Sequence, residues 1–374
     1  MNNRERALAV LNYEKYDRLP VVHFGFWRET LIKWHEEGHL TKEEALEWKD
    51  GNEIDKVISE KLGFDFNWYR TFSGNCSLYP AFESKVLEEY PDGTRKILNG
   101  DGAIILEKKG VVSIPKEIDH LFKDRASWEE HYLPKLQYTS KRINFSALEK
   151  IKNDEKNGIE RDTPIGIHCG SLYGNIRNWF GIEGLSYLYA DDEDLYDEVI
   201  NTVGNLCYEV TKNILSYGVK FDFGHFWEDI CFKNGPLVSP SIFHEKVGPH
   251  YKRITDLLHE HGINIVSLDC DGCIDALIPT WLENGVNTMF PIEVGTWGAS
   301  IDKWRKKYGK ELRGVGGMDK RVFAMDYKAI DQEIERLKPL VELGGYIPCP
   351  DHRIPMDAKW ENVQYYCEQM RRTF

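Results

Sequence analysis

Three short stretches of the chain combine residue types that can hold protons or a metal ion: Glu228-Asp229, Asp269-Cys270-Asp271-Gly272-Cys273 and Asp351-His352. Adjacent acids after an apolar segment are awkward to bury without a partner, so Glu228 and Asp229 point to proton transfer or cation binding. Asp269 and Asp271 alternate around a cysteine in the same way. Asp351-His352 lies between Pro350 and Pro355, which stiffen the loop and fix where both side chains point. The single Cys-x-x-Cys, Cys270 to Cys273, has no second pair to complete a closed zinc site, and a redox pair needs a fold context that is absent. Simpler roles stand beside these. A carboxylate at a strand end also caps the next helix, and a histidine such as His168 at an apolar strand end is often a satisfied core residue.

The elements that must position these residues follow a repeating pattern of amphipathic helix, glycine and short apolar run. Leu195, Val199, Val203, Leu206, Val210 and Ile214 mark one helical face, Gly218 stops it, and Val219 to Phe223 reads as a buried strand. Ser239-Pro240 opens another helix, and Ile263 to Leu268 is the strand after it. Further strands are expected at Val286 to Phe290, Leu312 to Gly316 and Tyr346 to Pro348. Earlier ones fall at Val21 to Phe26, about Phe64 to Trp68, and Pro164 to Ile167. Eight strands alternating with helices predict an α/β fold of the closed (β/α)8 TIM-barrel type, one domain over 1–374. An insertion over 70–160 follows the second strand. Lys85 to Val112 reads as β-hairpins around Asp92-Gly93 and Gly100-Asp101-Gly102, and Ser113 to Glu160 as helix-rich.

Chemistry on such a barrel sits at the carboxyl ends of the strands. Trp27 and Arg28 follow the first, and His168, Cys169 and Ser171 the third. His225, Trp227, Glu228 and Asp229 follow the fourth, and Asp269 and Asp271 the fifth. Glu293 and Trp297 come after the sixth, Asp319 after the seventh, Asp351 and His352 after the eighth. Carboxylates cluster at these ends. With 48 basic against 61 acidic residues and a net charge of −13, the chain is a poor binder of nucleic acid or anionic membranes. No apolar run of membrane-spanning length occurs, no apolar leader is visible, and the 8 cysteines are scattered, which predicts a cytoplasmic protein. Aromatics make up 13% of the chain, and Trp27, Trp227 and Trp297 fall just beyond strand ends, favouring a flat, mostly uncharged ligand.

The chain resembles the uroporphyrinogen decarboxylase superfamily over nearly its whole length. The residues that carry the likeness are Arg18-Leu19-Pro20-Val21-Val22, Asp271-Gly272, Phe290-Pro291-Ile292-Glu293, Gly316-Gly317-Met318-Asp319-Lys320, Gly344-Gly345-Tyr346-Ile347-Pro348 with Asp351-His352, and Glu361-Asn362. The resemblance implies the same barrel. Decarboxylases of the superfamily clamp substrate carboxylates with paired arginines in the first-strand loop; here that loop reads His23-Phe24-Gly25-Phe26-Trp27-Arg28 and keeps one. Corrinoid:coenzyme M methyltransferases of the superfamily hold zinc through a His-x-Cys and a later Cys, and the matching positions are Asp269, Asp271 and His352.

The sequence is most similar to the methyltransferase components of O-demethylases. That likeness implies transfer of a methyl group from an aryl methyl ether to cobalamin carried by a small corrinoid-binding partner protein. By the same resemblance Asp269, Asp271 and His352 place an acid or a zinc ion (Zn2+) at the ether oxygen. Glu228, Asp229 and His225 hold a phenol hydroxyl or relay a proton, and Trp27 and Trp227 flank the ring. Arg28, His168 and Glu293 complete the substrate-binding set. A tetrapyrrole decarboxylase, a corrinoid:thiol methyltransferase and a non-catalytic corrinoid-binding scaffold are the alternatives.

Overall fold

Each amphipathic helix that ends in a left-handed glycine delivers the chain back to a buried parallel strand. Gly218 (φ +84°), Gly262 (φ +77°) and Gly285 (φ +85°) all serve this way. The computed structural model describes residues 1–108 and 115–374. Its parallel strands are β1 (Val22–His23), β2 (Phe66–Asn67), β3 (Thr71–Ser73), β4 (Gly166–His168), β5 (Phe223–Trp227), β6 (Val266–Asp269), β7 (Thr288–Ile292), β8 (Arg313–Met318) and β9 (Tyr346–Pro350). β1 pairs with β2, β3 pairs with β4, and the ladder runs on in chain order to β9. A parallel bridge between Phe26 and Ile354 brings β9 back to the first strand. The result is the expected eight-stave barrel, with the second stave broken into β2 and β3.

Most strand boundaries shift from the sequence expectation, and the shifts in the second and fourth staves matter for the site. The fourth stave lies at Phe223–Trp227, not Val219 to Phe223. Val219 and Phe221 are buried below the ladder; Asp222 bonds to Ile165 through its backbone N at 2.9 Å and its side chain at 3.0 Å, and the register begins with Phe223 opposite Gly166. His225 and Trp227 therefore lie within the strand and not beyond it. The second stave ends its first piece at Asn67, whose side-chain oxygen accepts from Tyr69 N at 2.9 Å and turns the chain. Tyr69 sits in that break.

The insertion forms a four-stranded antiparallel sheet from Lys85–Glu89, Thr94–Leu98, Ala103–Lys108 and Lys116–His120. The expected hairpins are present; their far end, to Val112, and the start of the following stretch at Ser113 lie outside the described residues. The described part of that stretch begins with a strand and not a helix, because Lys116–His120 pairs along Ala103–Lys108. Helices then return the chain to β4, ending with Phe145–Lys156. One apolar cluster runs from Ala7 to Met370 and includes Phe122, Trp128 and Tyr132 of the insertion. Phe243, Tyr251 and Trp281 are buried in it, as helix periodicity predicts. Among the described residues no helix is long and apolar enough to cross a membrane.

Candidate active site

β5 and β6 are neighbours in the ladder, with Trp227 paired to Asp269. Alternation along β6 turns Ser267 and Asp269 to the same face. Beyond Asp269, Gly272 (φ +87°) makes the turn; a Cβ there would lie 2.4 Å from the carbonyl oxygen of Cys231, so no larger residue fits. At the end of β5, Asp229 adopts φ +48°, an unfavourable conformation for a residue with a side chain. Asp271 N donates to its Oδ1 at 3.0 Å. These turns bring Asp229, Asp269 and Asp271 together, with one carboxylate oxygen of each within 4.8 Å of the others. From across the mouth, after β9, His352 Nε2 reaches Asp271 Oδ2 at 3.2 Å. The His352 ring stacks on Trp27 with centroids 5.4 Å apart and meets the edge of Phe24 at 5.5 Å.

Three carboxylates this close cannot all ionise without cost. Burial, then repulsion from Asp271, pushes Asp229 up to about 6. Asp269 is raised well above the carboxylate range by burial and by both neighbouring acids. Tyr69 donates its hydroxyl to Asp269, and burial with that carboxylate's charge raises the phenol in turn. A nearby cation is Arg353, fixed by Asp50 at 2.7 and 3.2 Å and lying 5.6 Å from the Phe24 ring centroid and 5.7 Å from that of Tyr69. It favours the ionised form of Asp269 only weakly.

This donor set fits a divalent cation. It offers carboxylate oxygens and one imidazole, and a bound cation would relieve the mutual repulsion that now raises the acids. It does not fit the thiolate-rich set that the coenzyme M enzymes use. Cys270 is buried with its thiol turned to the carbonyl oxygen of Asp271, and burial raises both Cys270 and Cys349. The cluster of potential metal ligands among the described residues contains no cysteine.

Other expected residues are placed differently. Glu228 points away from the trio and is fully enclosed. It accepts from Ser171 Oγ at 3.0 Å, from the backbone N–H groups of Leu172, Tyr173 and Gly174 at 2.8, 2.9 and 2.7 Å, and from the Tyr251 hydroxyl. It holds the start of the Gly174–Phe180 helix; its lone pairs are committed, which corrects the expectation that it works beside Asp229. Glu293 stands behind Asp271, accepting from Gly272 N at 2.5 Å and Thr296 Oγ1 at 2.8 Å. It fixes the turn that carries Asp271. Asp351 binds Gly295 N at 2.7 Å and Lys320 N at 3.2 Å, and Asp319 grips Arg321, so both tie loops together. Arg28 is exposed at the start of the Arg28–Glu36 helix.

His168, His225 and Trp227 line up beside the trio. His225 is fully buried, its ring 5.1 Å from Tyr69 and 5.6 Å from His168, and neither ring nitrogen has a partner among the described residues. Burial holds both histidines neutral, His168 at about 4 and His225 well below its usual value. His168 and Trp227 border a cleft of about 750 Å³ that opens beside the mouth. Tyr69 and Arg353 are the site residues absent from the list of strand ends. Tyr69 carries a readable signal, since it directly follows the expected second strand.

A closed α/β barrel with an acidic mouth is the class defined by this geometry, and the comparisons place it more narrowly. Residues 179–373, more than half of the chain, match the uroporphyrinogen decarboxylase (URO-D) family, and the protein belongs to that family. A solved methyltransferase from Methanosarcina mazei shares the fold with a TM-score of 0.59 at 15% identity, over 99% of this chain and 98% of that one. A B12-independent methionine synthase from Shewanella sp. aligns with a TM-score of 0.48 at 13% identity, over 95% and 98% of the two chains. No curated protein matches the sequence.

Proposed function

We propose that the protein is a methyltransferase that moves the methyl group of an aryl methyl ether onto the corrinoid of a small partner protein in the cytoplasm. The observation that carries this reading is the convergence of Asp229, Asp269 and Asp271 within 4.8 Å at the barrel mouth, joined by His352. An aryl ether loses its methyl group only if the oxygen left behind is protonated or held by a Lewis acid, because a bare phenolate leaves poorly. The partner's corrinoid supplies a two-electron nucleophile that accepts the methyl group.

The chain's own residues supply the rest. Trp27, stacked on His352, and Trp227, at the end of β5, form flat walls on which an aromatic ring can lie. Asp229, pushed up to about 6, still holds its proton in a useful fraction of molecules near neutrality. As the methyl carbon–oxygen bond breaks, its electron pair stays on the aryl oxygen, and the Asp229 carboxyl delivers its proton there. Asp269, raised well above its ordinary value by burial and by the two neighbouring acids, accepts the Tyr69 hydroxyl and stands beside Asp229 in the same cluster. A divalent cation held by Asp229, Asp269, Asp271 and His352 would instead supply Lewis acidity at the same oxygen.

Decarboxylation of a polyanionic tetrapyrrole fits this mouth poorly. Arg353 and Arg321 already pair with Asp50 and Asp319, while the trio would repel substrate carboxylates. Incubation with guaiacol and a reduced corrinoid protein should give catechol and methylated corrinoid. Absence of both, with release of carbon dioxide from uroporphyrinogen when no partner is added, would overturn the proposal.

A further inference from the structure

The cleft beside the mouth has an electrostatic character opposite to that of the trio. It lies at the ends of β3, β4 and β5, and its lining includes Ser73, Asn75, Lys141, Arg142, His168 and Trp227. In a chain with 61 acidic residues its lining contains no aspartate or glutamate. Arg142 is only 3% exposed. Its guanidinium donates to the carbonyl oxygens of Gln137, Asn75 and Ser77 at 3.0, 3.1 and 2.7 Å, to that of Lys135, and to the Asn75 side-chain oxygen. All of these are neutral acceptors. Burial lowers its pKa, and no carboxylate stands among the groups that oppose this. A buried guanidinium without a counter-charge leaves its surroundings at positive potential, and Lys141 adds to it. Gly170 N donates to His168 Nδ1 at 3.0 Å, so the neutral ring carries its proton on Nε2 as a further donor.

The cleft and the trio share one strand. Trp227 borders the cleft, Asp229 lies two residues on, and Trp227 is the register partner of Asp269. Paired strands lie about 5 Å apart, so Trp227, which lines the cleft, stands one strand's width from Asp269 and is where the cleft meets the trio.

We infer that the methyl donor carries an anionic group, of the carboxylate kind, and that the cleft built on Lys141 and Arg142 receives it while the ether oxygen faces Asp229. This rests on the methyltransferase reading above. The two potentials fix the substrate's direction: an anion is drawn to the cleft and repelled from the trio, so the ring enters with its ether end at the acids.

The test is calorimetric binding of 3-methoxybenzoate and of neutral guaiacol to the wild-type protein and to Lys141→Met, without any corrinoid. Lys141 is on the cleft lining and outside the proposed proton-transfer set. The wild-type protein should bind the benzoate about tenfold more tightly than guaiacol at low salt, and Lys141→Met should erase most of that preference while guaiacol binding holds. Equal affinity for the two ligands in the wild-type protein, or an unchanged ratio in Lys141→Met, overturns the inference. Because the ratio is read without turnover, an intact ratio with no methyl transfer overturns the function alone. Methyl transfer with a ratio near one overturns the anion subsite alone.

Discussion

His352 Nε2 stands 3.2 Å from Asp271 Oδ2, linking the loop after β9 to the loop after β6 across the barrel mouth. The imidazole is held from its other side by Trp27, so its position is set by packing as well as by the carboxylate. Replacing it leaves Asp271 without its partner and removes one donor from the cation set. His352→Ala should therefore lower the methyl-transfer rate by about 100-fold with the fold intact. Full activity in that variant would remove His352 from the mechanism.

Glu228 should behave as a structural residue. Five donors converge on one enclosed carboxylate, and Glu228→Ala strands them in a place water does not reach. Urea unfolding should show a loss of about 3–5 kcal/mol. Activity per folded molecule should change far less than in His352→Ala. Wild-type stability in this variant would mean that the helix start at Gly174 does not depend on it.

Much of the barrel was legible because each glycine stop is followed by an apolar run, the mark of repeated βα units, and because such runs number eight. The clustering of Asp229, Asp269, Asp271 and His352 at the barrel mouth was legible for the same reason, since all four follow assigned strands. Glu228 was misread because its neighbour in sequence lies on the opposite face, and sequence adjacency carries no information about which acid turns inward. His225 and Trp227 shifted because Val219 and Phe221 are as apolar as ladder residues, so hydropathy alone does not mark where the pairing of Phe223 with Gly166 begins. Arg353 could not be found from a list of carboxylates. Its role depends on Asp50, some 300 residues away, and on a left-handed Gly25, where a Cβ would lie 2.3 Å from the guanidinium.

Trp27 tests the aromatic wall. It is 42% exposed yet stacked on His352, a combination expected of a side chain that waits for a ligand face. Trp27→Ala should raise KM for the ether about tenfold, in line with the loss of one aromatic contact. A smaller effect on kcat is expected, because the ring holds substrate and does not move protons. A kcat loss at unchanged KM would instead mean that Trp27 acts by positioning His352.

The trio makes pH and metal ions act on the same residues in a defined direction. Asp229 is raised from 3.8 to about 6, by burial first and by Asp271 second. The folded state thus holds this proton more tightly than the unfolded chain does. The stability it contributes is fully present below pH 3.8 and is lost as the pH rises through about 6. Against Asp229→Asn, which cannot ionise, the wild-type protein should lose about 1–3 kcal/mol over that window. A divalent cation binds the ionised oxygens, so its affinity should climb over the same window with release of protons. At neutral pH, manganese or zinc at a hundredfold excess over Kd should stabilise the fold by about 2.7 kcal/mol, and a chelator should reverse the shift. Asp269→Asn should abolish the effect. If Tm at neutral pH ignores both metals while the difference from Asp229→Asn persists, the trio works as a proton donor alone and the Lewis-acid route is excluded.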